Sequence, residues 1–230
     1  MKFGIVTFPG SNCDYDAYRA VIDTFGEEAV YLWHKDHDLQ NSDVIILPGG
    51  FSYGDYLRPG AIARFSPIMS EVIAHARRGA PVVGICNGFQ IACEAGLLPG
   101  ALLRNSSLRF VSAPVNMRVE NAGTMFTSAY EPGEVIRVPI AHGDGRFTAD
   151  DKDLDSLENA DRVVFRYVDA NGHVTDEANP NGSARGIAGI VNDEGNVLGM
   201  MPHPERALDD MLGSHDGVGV FESILSRVAA

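Results

Sequence analysis

The stretch Pro81-Val-Val-Gly-Ile-Cys86-Asn-Gly-Phe-Gln90 decides the fold class, because it joins an apolar strand to a helix through a tight turn. Its Gly-x-Cys-x-Gly pattern, between a strand and a helix, is typical of a nucleophile elbow with cysteine in place of serine. Glycines on both sides leave room for a strained central residue, and the helix N terminus favours negative charge on its sulfur. Cys86 is therefore the predicted nucleophile, whereas Cys13 and Cys93 are expected to be ordinary core thiols.

The strand before this turn is one of five apolar segments, several of which are separated by stretches with helical spacing. Continuous apolar strands that alternate with helices are typical of a parallel sheet covered on both faces. The predicted strands are residues 3–8, 29–33, 44–47, 82–85 and 197–201, and the helical spacings fall in 18–25, 62–76 and 221–228. Polar and apolar residues alternate in parts of 101–170, which predicts antiparallel strands. We expect one α/β domain over residues 1–230: a mostly parallel open sheet with helices on both faces, plus a small antiparallel subsheet from the middle of the chain.

Composition restricts the class of partner. The 230-residue chain has 18 basic against 31 acidic residues, a net charge of −13, which disfavours nucleic acid and anionic membranes as ligands. No apolar run approaches the roughly 18 residues of a membrane span, and the first residues lack the pattern of a signal peptide. Three cysteines are too few for a disulfide scaffold in a chain of this length. We therefore expect a soluble cytoplasmic protein.

A cysteine nucleophile needs a base, and the segment Met200-Met-Pro-His203-Pro-Glu205-Arg206 contains the best candidate among seven histidines. The segment follows a predicted strand, and the prolines beside His203 favour extended backbone. In extended chain, residues two apart face the same way, which predicts Glu205 beside His203, where a carboxylate would fix the imidazole tautomer. The chain has no His or Cys spacing typical of zinc sites, so no metal site is expected.

A glycine-rich loop is the predicted source of oxyanion stabilisation. The apolar segment 44–47 runs into Pro48-Gly-Gly-Phe-Ser-Tyr-Gly54, where consecutive glycines let a backbone N–H turn towards a substrate. In a parallel sheet this loop emerges at the same edge as Cys86. We predict that the N–H groups of Gly50 and of Asn87, the residue after the nucleophile, bind the oxyanion.

The elbow, the Pro-Gly-Gly loop and the His-Pro-Glu segment together resemble the triad (class I) glutamine amidotransferases, and they follow that family's order along the chain. Longer motifs resemble, within this family, the glutaminase subunits of phosphoribosylformylglycinamidine synthases of purine biosynthesis. These motifs are Phe8-Pro-Gly-Ser-Asn-Cys13, Gly50-Phe-Ser-Tyr-Gly-Asp-Tyr-Leu-Arg-Pro-Gly60, Asn179-Pro-Asn-Gly-Ser183 and Met201-Pro-His-Pro-Glu-Arg206. The resemblance implies a flavodoxin-like fold and hydrolysis of glutamine to glutamate and ammonia through a Cys86–His203–Glu205 triad and a γ-glutamyl thioester.

The resemblance also has implications for the pocket and the partners. It implies that Gln90 and the segment His142-Gly143 contact glutamine. Ammonia from a stand-alone glutaminase would be protonated and lost, and the sequence has no recognisable ATP site, so a synthetase must receive it. By resemblance, that partner is the large ATP-dependent subunit of the synthase, joined by a small accessory subunit. ATP and Mg are then used by the partner, with no cofactor in this chain. Candidate partner contacts, which as lone arginines are more often ordinary surface residues, are Arg58, Arg64 and Arg104.

Two other functions stay open on the sequence alone. A γ-glutamyl hydrolase would use the same chemistry on γ-glutamyl peptides without any partner. A catalytically silent regulatory module would bind a partner only, but it has no physical need for an intact Cys86, His203 and Glu205 together. Activity of the isolated chain on γ-glutamyl peptides would identify the first function. Unchanged glutamine-dependent synthesis after Cys86→Ala would identify the second.

Overall fold

The structure is a computed structural model that describes residues 1–228, with eleven strands and five α-helices over that range. The strands are β1 (Lys2–Thr7), β2 (Glu28–Trp33), β3 (Val44–Leu47), β4 (Val82–Ile85), β5 (Ala101–Leu103), β6 (Val111–Val119), β7 (Val135–His142), β8 (Arg146–Thr148), β9 (Val163–Val168), β10 (Ile187–Val191) and β11 (Val197–Met200). The helices are α1 (Asp14–Arg19), α2 (Pro67–Arg77), α3 (Asn87–Glu94), α4 (Asp151–Asn159) and α5 (Val218–Val228). Over the described range, none of these helices combines the length and apolar character needed to cross a membrane.

Nine strands form one mixed sheet in the order β2-β1-β3-β4-β11-β10-β9-β6-β7. The first five in this order run parallel and are called the parallel half. The other four, β10, β9, β6 and β7, pair antiparallel and are called the antiparallel half. Strands β5 and β8 form a separate two-stranded antiparallel sheet. The architecture confirms the predicted α/β class with a small antiparallel sheet from the middle of the chain, which also supplies three strands at one edge of the large sheet.

The predicted strands are confirmed to within one residue at each end. The helical spacing over 62–76 is divided: a 3₁₀ turn at Ala63–Phe65 precedes α2, which begins at Pro67. The division arises because Ser66 stands before a proline and is held extended, with φ −62° and ψ 140°. The spacing over 18–25 lies mostly in a π-helical turn, Ala20–Thr24, that continues α1.

The carboxyl ends of the parallel strands bring distant loops together at one edge of the sheet. Strands β3, β4 and β11 are buried along their whole length, as expected for central strands covered by helices. The loop after β3 joins the loop after β1 through the N–H of Phe51, which donates to the carbonyl of Gly10 (2.9 Å). The N–H of Cys86, after β4, donates to the carbonyl of Met200, the last residue of β11 (2.8 Å). The loops after β1, β3, β4 and β11, which are far apart in sequence, therefore meet at the end of β4.

Candidate active site

Cys86 occupies the turn between β4 and α3 with φ 52° and ψ −105°, a conformation that non-glycine residues rarely adopt. It immediately precedes the first turn of α3, so the unpaired N–H groups of the helix terminus lie beside it. Gly88 allows this close packing, because a Cβ there would lie 1.9 Å from the carbonyl oxygen of Leu47 in β3. The structure thus contains an elbow of the predicted shape, with backbone strain of the kind that recurs at active sites.

His203 and Glu205 form a buried pair. Nδ1 of His203 is 2.7 Å from Oε1 of Glu205, and the two side chains are 2% and 0% exposed. The pair is adjacent as predicted. The backbone at His203 is nearly extended, with φ −104° and ψ 87°, but the extended chain does not continue to Glu205, because Pro204–Arg206 forms a 3₁₀ turn. The N–H of His203 donates to the carbonyl of Pro139 in β7 (2.8 Å), which anchors the histidine to the antiparallel half.

Charge couples His203 to Cys86. Burial by itself lowers the pKa of His203, but the negative charges of Glu205 and of ionised Cys86 outweigh burial and raise this pKa well above its ordinary value. With Nδ1 directed at Glu205, Nε2 has no hydrogen-bond partner among residues 1–228 and is free to exchange a proton with a sulfur. Sγ of Cys86 lies 3.8 Å from the carbonyl oxygen of Ala141 in β7. The raised pKa of His203 favours its imidazolium form, which can give a proton from Nε2.

Gly50 and Asn87 offer backbone N–H groups beside the nucleophile. Neither N–H donates a hydrogen bond to another group in the described part of the chain. Gly50 has φ 145°, and a Cβ there would lie 2.7 Å from the backbone nitrogen of Asn12. The buried side chain of Asn87 accepts a hydrogen bond from the N–H of Ser52 (3.1 Å) and so holds the glycine-rich loop against α3. Two unpaired N–H groups are what an oxyanion hole requires, and the assignment of these two stays a prediction.

Cys86 opens into a cavity of about 290 Å³, whose wall also includes Gly50 and three residues that the sequence assigned to the pocket: Gln90, His142 and Gly143. The amide of Gln90 accepts from Nδ2 of Asn87 (2.8 Å) and donates to the carbonyl of Asp144 (2.6 Å). Both ends of this side chain are therefore occupied by protein groups, and Gln90 braces the wall of the cavity.

The surroundings of the His142 imidazole do not favour a role as acid or base. Its Nδ1 lies 3.1 Å from Oδ1 of Asn105, inside a buried polar cluster. Burial, with the positive charge of His203 adding to it, lowers the pKa of His142 to about 4, so the ring is neutral near pH 7. Of the two buried histidines at the site, only His203 has a carboxylate partner.

Comparison with known proteins gives the family. Residues 1–217 match the family model described as the CobB/CobQ-like glutamine amidotransferase domain. The chain belongs to this glutamine amidotransferase family. Among curated relatives, the PurQ subunit of phosphoribosylformylglycinamidine synthase from Salinibacter ruber is 59% identical over 228 residues, covering 99% of this chain and 97% of that protein. The PurQ subunit from Chlorobaculum tepidum is 60% identical over 226 residues, covering 98% and 97%. The PurLQS structure from Thermotoga maritima has a chain that is 48% identical, with a TM-score of 0.88 and coverage of 99% and 98%.

These findings confirm the resemblance inferred from the sequence motifs. In this amidotransferase, however, Cys13 lies closer to the candidate base than the sequence indicated. Ligand atoms of Cys13, His203 and Glu205 all lie within 4.8 Å of one another. Burial raises the pKa of Cys13, and the neighbouring His203 offsets this only in part, so this thiol is neutral near pH 7. A neutral thiol is a poor nucleophile, which leaves Cys86 as the candidate.

The same cluster has three types of side chain that could bind a metal, yet its surroundings oppose one. Nη2 of Arg206 is 3.2 Å from Sγ of Cys13, and one oxygen of Glu205 is already bonded to His203. A guanidinium so close to the sulfur repels a further cation. The expectation that this amidotransferase has no metal ligands stays a prediction.

Several charged side chains of the cavity do not stand out in the sequence. Asp55, Asp144 and Arg109 line it without having been singled out, and Arg104, considered only as a partner contact, lines it as well. The sequence held one signal for Asp55, since this residue directly follows the glycine-rich loop that contains Gly50. The signal was weak, because acidic residues are common in loops and nothing local shows which way the side chain points.

The other two candidate partner contacts lie against one glutamate of α3. Nη2 of Arg58 is 2.8 Å from Oε2 of Glu94, and Nη1 of Arg64 is 2.9 Å from the carbonyl oxygen of the same residue. These hydrogen bonds fix both arginine side chains on the surface of the amidotransferase. Their contact with a partner stays a prediction.

Proposed function

We propose that this chain is the glutaminase subunit that hydrolyses glutamine and passes the ammonia to phosphoribosylformylglycinamidine synthesis in de novo purine biosynthesis. The observation that carries the proposal is the strained Cys86 of the elbow together with the buried His203–Glu205 pair. Strain and buried charge both oppose folding, so a module that only packs against a partner has no reason to keep them. The extent of identity with PurQ relatives, over nearly the whole of both chains, supports the choice of synthase.

The reaction begins with attack of the Cys86 thiolate on the γ-carboxamide carbon of glutamine. The carbonyl oxygen becomes an oxyanion that accepts hydrogen bonds from the N–H groups of Gly50 and Asn87. Charged His203, held by Glu205, gives its Nε2 proton to the amide nitrogen as the C–N bond breaks. Ammonia leaves, and a γ-glutamyl thioester remains on the sulfur.

Hydrolysis of the thioester then restores the enzyme. Neutral His203 takes a proton from water while the water oxygen attacks the thioester carbon. The C–S bond breaks, glutamate leaves, and the thiolate of Cys86 again pairs with the imidazolium. Glu205 stabilises the positive charge on His203 at both ends of the cycle.

The ammonia must reach its acceptor without first being protonated in bulk water. The chain therefore works with the large synthetase subunit and the small subunit of the same complex, as the similarity to a chain of the T. maritima PurLQS structure supports. The large subunit uses ATP and Mg to convert formylglycinamide ribonucleotide to the amidine, and this chain needs no cofactor of its own. The complex acts in the cytoplasm.

The test is glutamate release from glutamine by the wild-type chain and by Cys86→Ala, each alone and with the cognate large and small subunits. We expect Cys86→Ala to lower release by about 10⁴-fold, because the nucleophile is removed. The complex that contains this variant should still make product from ammonium salts. The matched control is Cys93→Ala, which removes a thiol from the body of α3 and should leave glutamate release within about twofold of wild type.

Each alternative gives a different result. Loss of the ammonium-dependent reaction in Cys86→Ala would contradict the division of labour between subunits. Absence of glutamate release by the wild-type complex would contradict glutamine as substrate. Release from γ-glutamyl peptides by the isolated chain would indicate a hydrolase that needs no partner.

A further inference from the structure

The cavity beside Cys86 contains charged side chains that the chemistry at the sulfur does not use. Asp55 and Asp144 line it, and so do Arg104 and Arg109, which form no ion pair within residues 1–228. A lining with both signs of charge matches a ligand with one cationic and one anionic group. The α-carbon of glutamine has such a pair, an ammonium and a carboxylate, at the end opposite the reacting amide.

Asp55 is held next to the nucleophile by one side chain. Its Oδ1 accepts a hydrogen bond from Nδ2 of Asn87 (3.1 Å), the residue that follows Cys86. The same amide of Asn87 accepts from the N–H of Ser52 (3.1 Å) and donates to Gln90 (2.8 Å). The loop with Asp55, the nucleophile helix and the cavity wall are therefore fixed in one network. The other carboxylate oxygen of Asp55 has no protein partner within the described range.

Among the described residues 1–228, no cationic side chain forms an ion pair with the carboxylate of Asp55. Burial raises the pKa of Asp55 to about 6; the hydrogen bond from Asn87 lowers it in part, and the negative charge of Asp144 raises it further. A carboxylate in such surroundings is mostly ionised near pH 7, but its charge is poorly compensated. A cation that enters the cavity with the substrate would supply the compensation.

We propose that Asp55 binds the α-ammonium group of glutamine, so that the site selects α-amino acid amides over amides that lack this group. The inference rests on the proposed function, and it assigns a specificity residue within the same pocket. Asp55 takes no part in bond making. Its contribution is a charge-assisted hydrogen bond that fixes the far end of the substrate while the γ-amide lies against Cys86.

The test compares two ligands that differ only in the ammonium group. Glutamine is the substrate, and glutaramate, which is glutamine without its α-amino group, is tested as a competing ligand; both are measured with the complete complex. Asp55→Asn keeps the shape of the side chain and an oxygen that can accept from Asn87, but removes the charge. We expect kcat/KM for glutamine to fall about 10-fold to 100-fold, mainly through KM, because a charged hydrogen bond is lost. The inhibition constant of glutaramate should stay within about twofold or become tighter.

Two further variants make the outcome decisive. Asp144→Asn tests the rival carboxylate: a selective loss of glutamine there, and not in Asp55→Asn, would overturn the assignment. Asp36→Asn, in an exposed segment outside the cavity, should change neither ligand. Equal weakening of glutamine and glutaramate by Asp55→Asn would show a structural role only and would also overturn the proposal. A wild-type complex that releases no glutamate would refute the proposed function itself, and this is seen before any variant is compared.

Discussion

The parallel and antiparallel halves of the sheet contribute to the site in different ways. In the parallel half, the carboxyl ends of β1, β3, β4 and β11 lie at one edge, so each of these strands delivers the loop that follows it. In the antiparallel half, neighbouring strands run in opposite directions, and the cavity is walled by the end of β7 with the two residues after it, Ala141 to Asp144, and by residues 108–110 before β6. Parallel strands therefore concentrate the reacting groups, whereas the antiparallel strands enclose them. We therefore expect substitutions in the parallel half to lower both stability and activity. Substitutions near the antiparallel half should lower stability without changing activity.

The largest expected effect is that of Gly88→Ala in the parallel half. The new methyl group would lie 1.9 Å from the carbonyl oxygen of Leu47, and backbone on both sides leaves little room to move. Alanine is the better helix former, so a helix-propensity argument alone predicts stabilisation. We expect instead a loss of about 3 kcal/mol or more in the free energy of unfolding, measured by urea denaturation, together with loss of activity.

The matched control for that substitution is Gly123→Ala, in the connection after β6. An added Cβ there meets only a side-chain oxygen of Asn121, at 3.2 Å. We expect a change of less than about 1 kcal/mol. Equal effects of the two substitutions would contradict the view that packing of α3 onto β3 limits this position.

The next largest effect is expected at Glu205, whose carboxylate is hydrogen-bonded to His203. Glu205→Gln keeps the shape of the side chain and removes its charge, so the imidazolium of His203 loses stabilisation. We expect kcat for glutamine hydrolysis to fall about 100-fold with little change in KM. Glu158→Gln, which removes a charge from an ion-pair cluster with Arg166 and Arg185, is the control and should leave kcat unchanged. An unaltered kcat in Glu205→Gln would remove Glu205 from the proposed triad.

The smallest effect is expected in the connection between β8 and β9. The side chain of Asp150 accepts a hydrogen bond from the N–H of Asp153 (2.8 Å) and caps α4. Asp150→Ala should lower the free energy of unfolding by about 1 kcal/mol, measured by thermal denaturation, without changing kcat/KM. Lys152→Ala, at an exposed position of the same helix, should change stability by less than about 0.5 kcal/mol. A loss of activity in Asp150→Ala would show that the two halves are not separable in this way.

The features that the sequence predicted correctly are those encoded over a few neighbouring residues. Continuous apolar runs located the strands of the parallel half, and ten residues around Cys86 were enough to predict the elbow. His203 and Glu205 were paired correctly, although the predicted extended chain gives way to a 3₁₀ turn at Pro204–Arg206. Two prolines restrict the backbone without specifying which turn results, so the local pattern could not distinguish these geometries.

The features that were missed depend on loops from separate strands packing together. Asp55 reaches the cavity because Asn87, after a different strand, holds it there. Cys13 lies near His203 because the loops after β1 and β11 meet at one edge. Neither contact has a signature within its own segment, because each partner is more than thirty residues away along the chain. Residue propensity and hydrophobic periodicity indicate the local preference for helix or strand, and they contain no information about contacts between distant segments.

The hydrogen bond between His203 and Pro139 has a consequence for association in solution. Strand β7 is the last strand of the sheet, and an uncovered last strand is a template on which further chains can add. Here the segment after β11 covers it: the N–H of Arg137 donates to Asp216 (2.6 Å), and the carbonyl of Pro139 accepts from His203 (2.8 Å). Proline has no N–H of its own to leave unpaired. The segment that carries the candidate base thus also covers the edge on which strands could add, and we expect a chain in which this segment detaches to aggregate as well as lose activity.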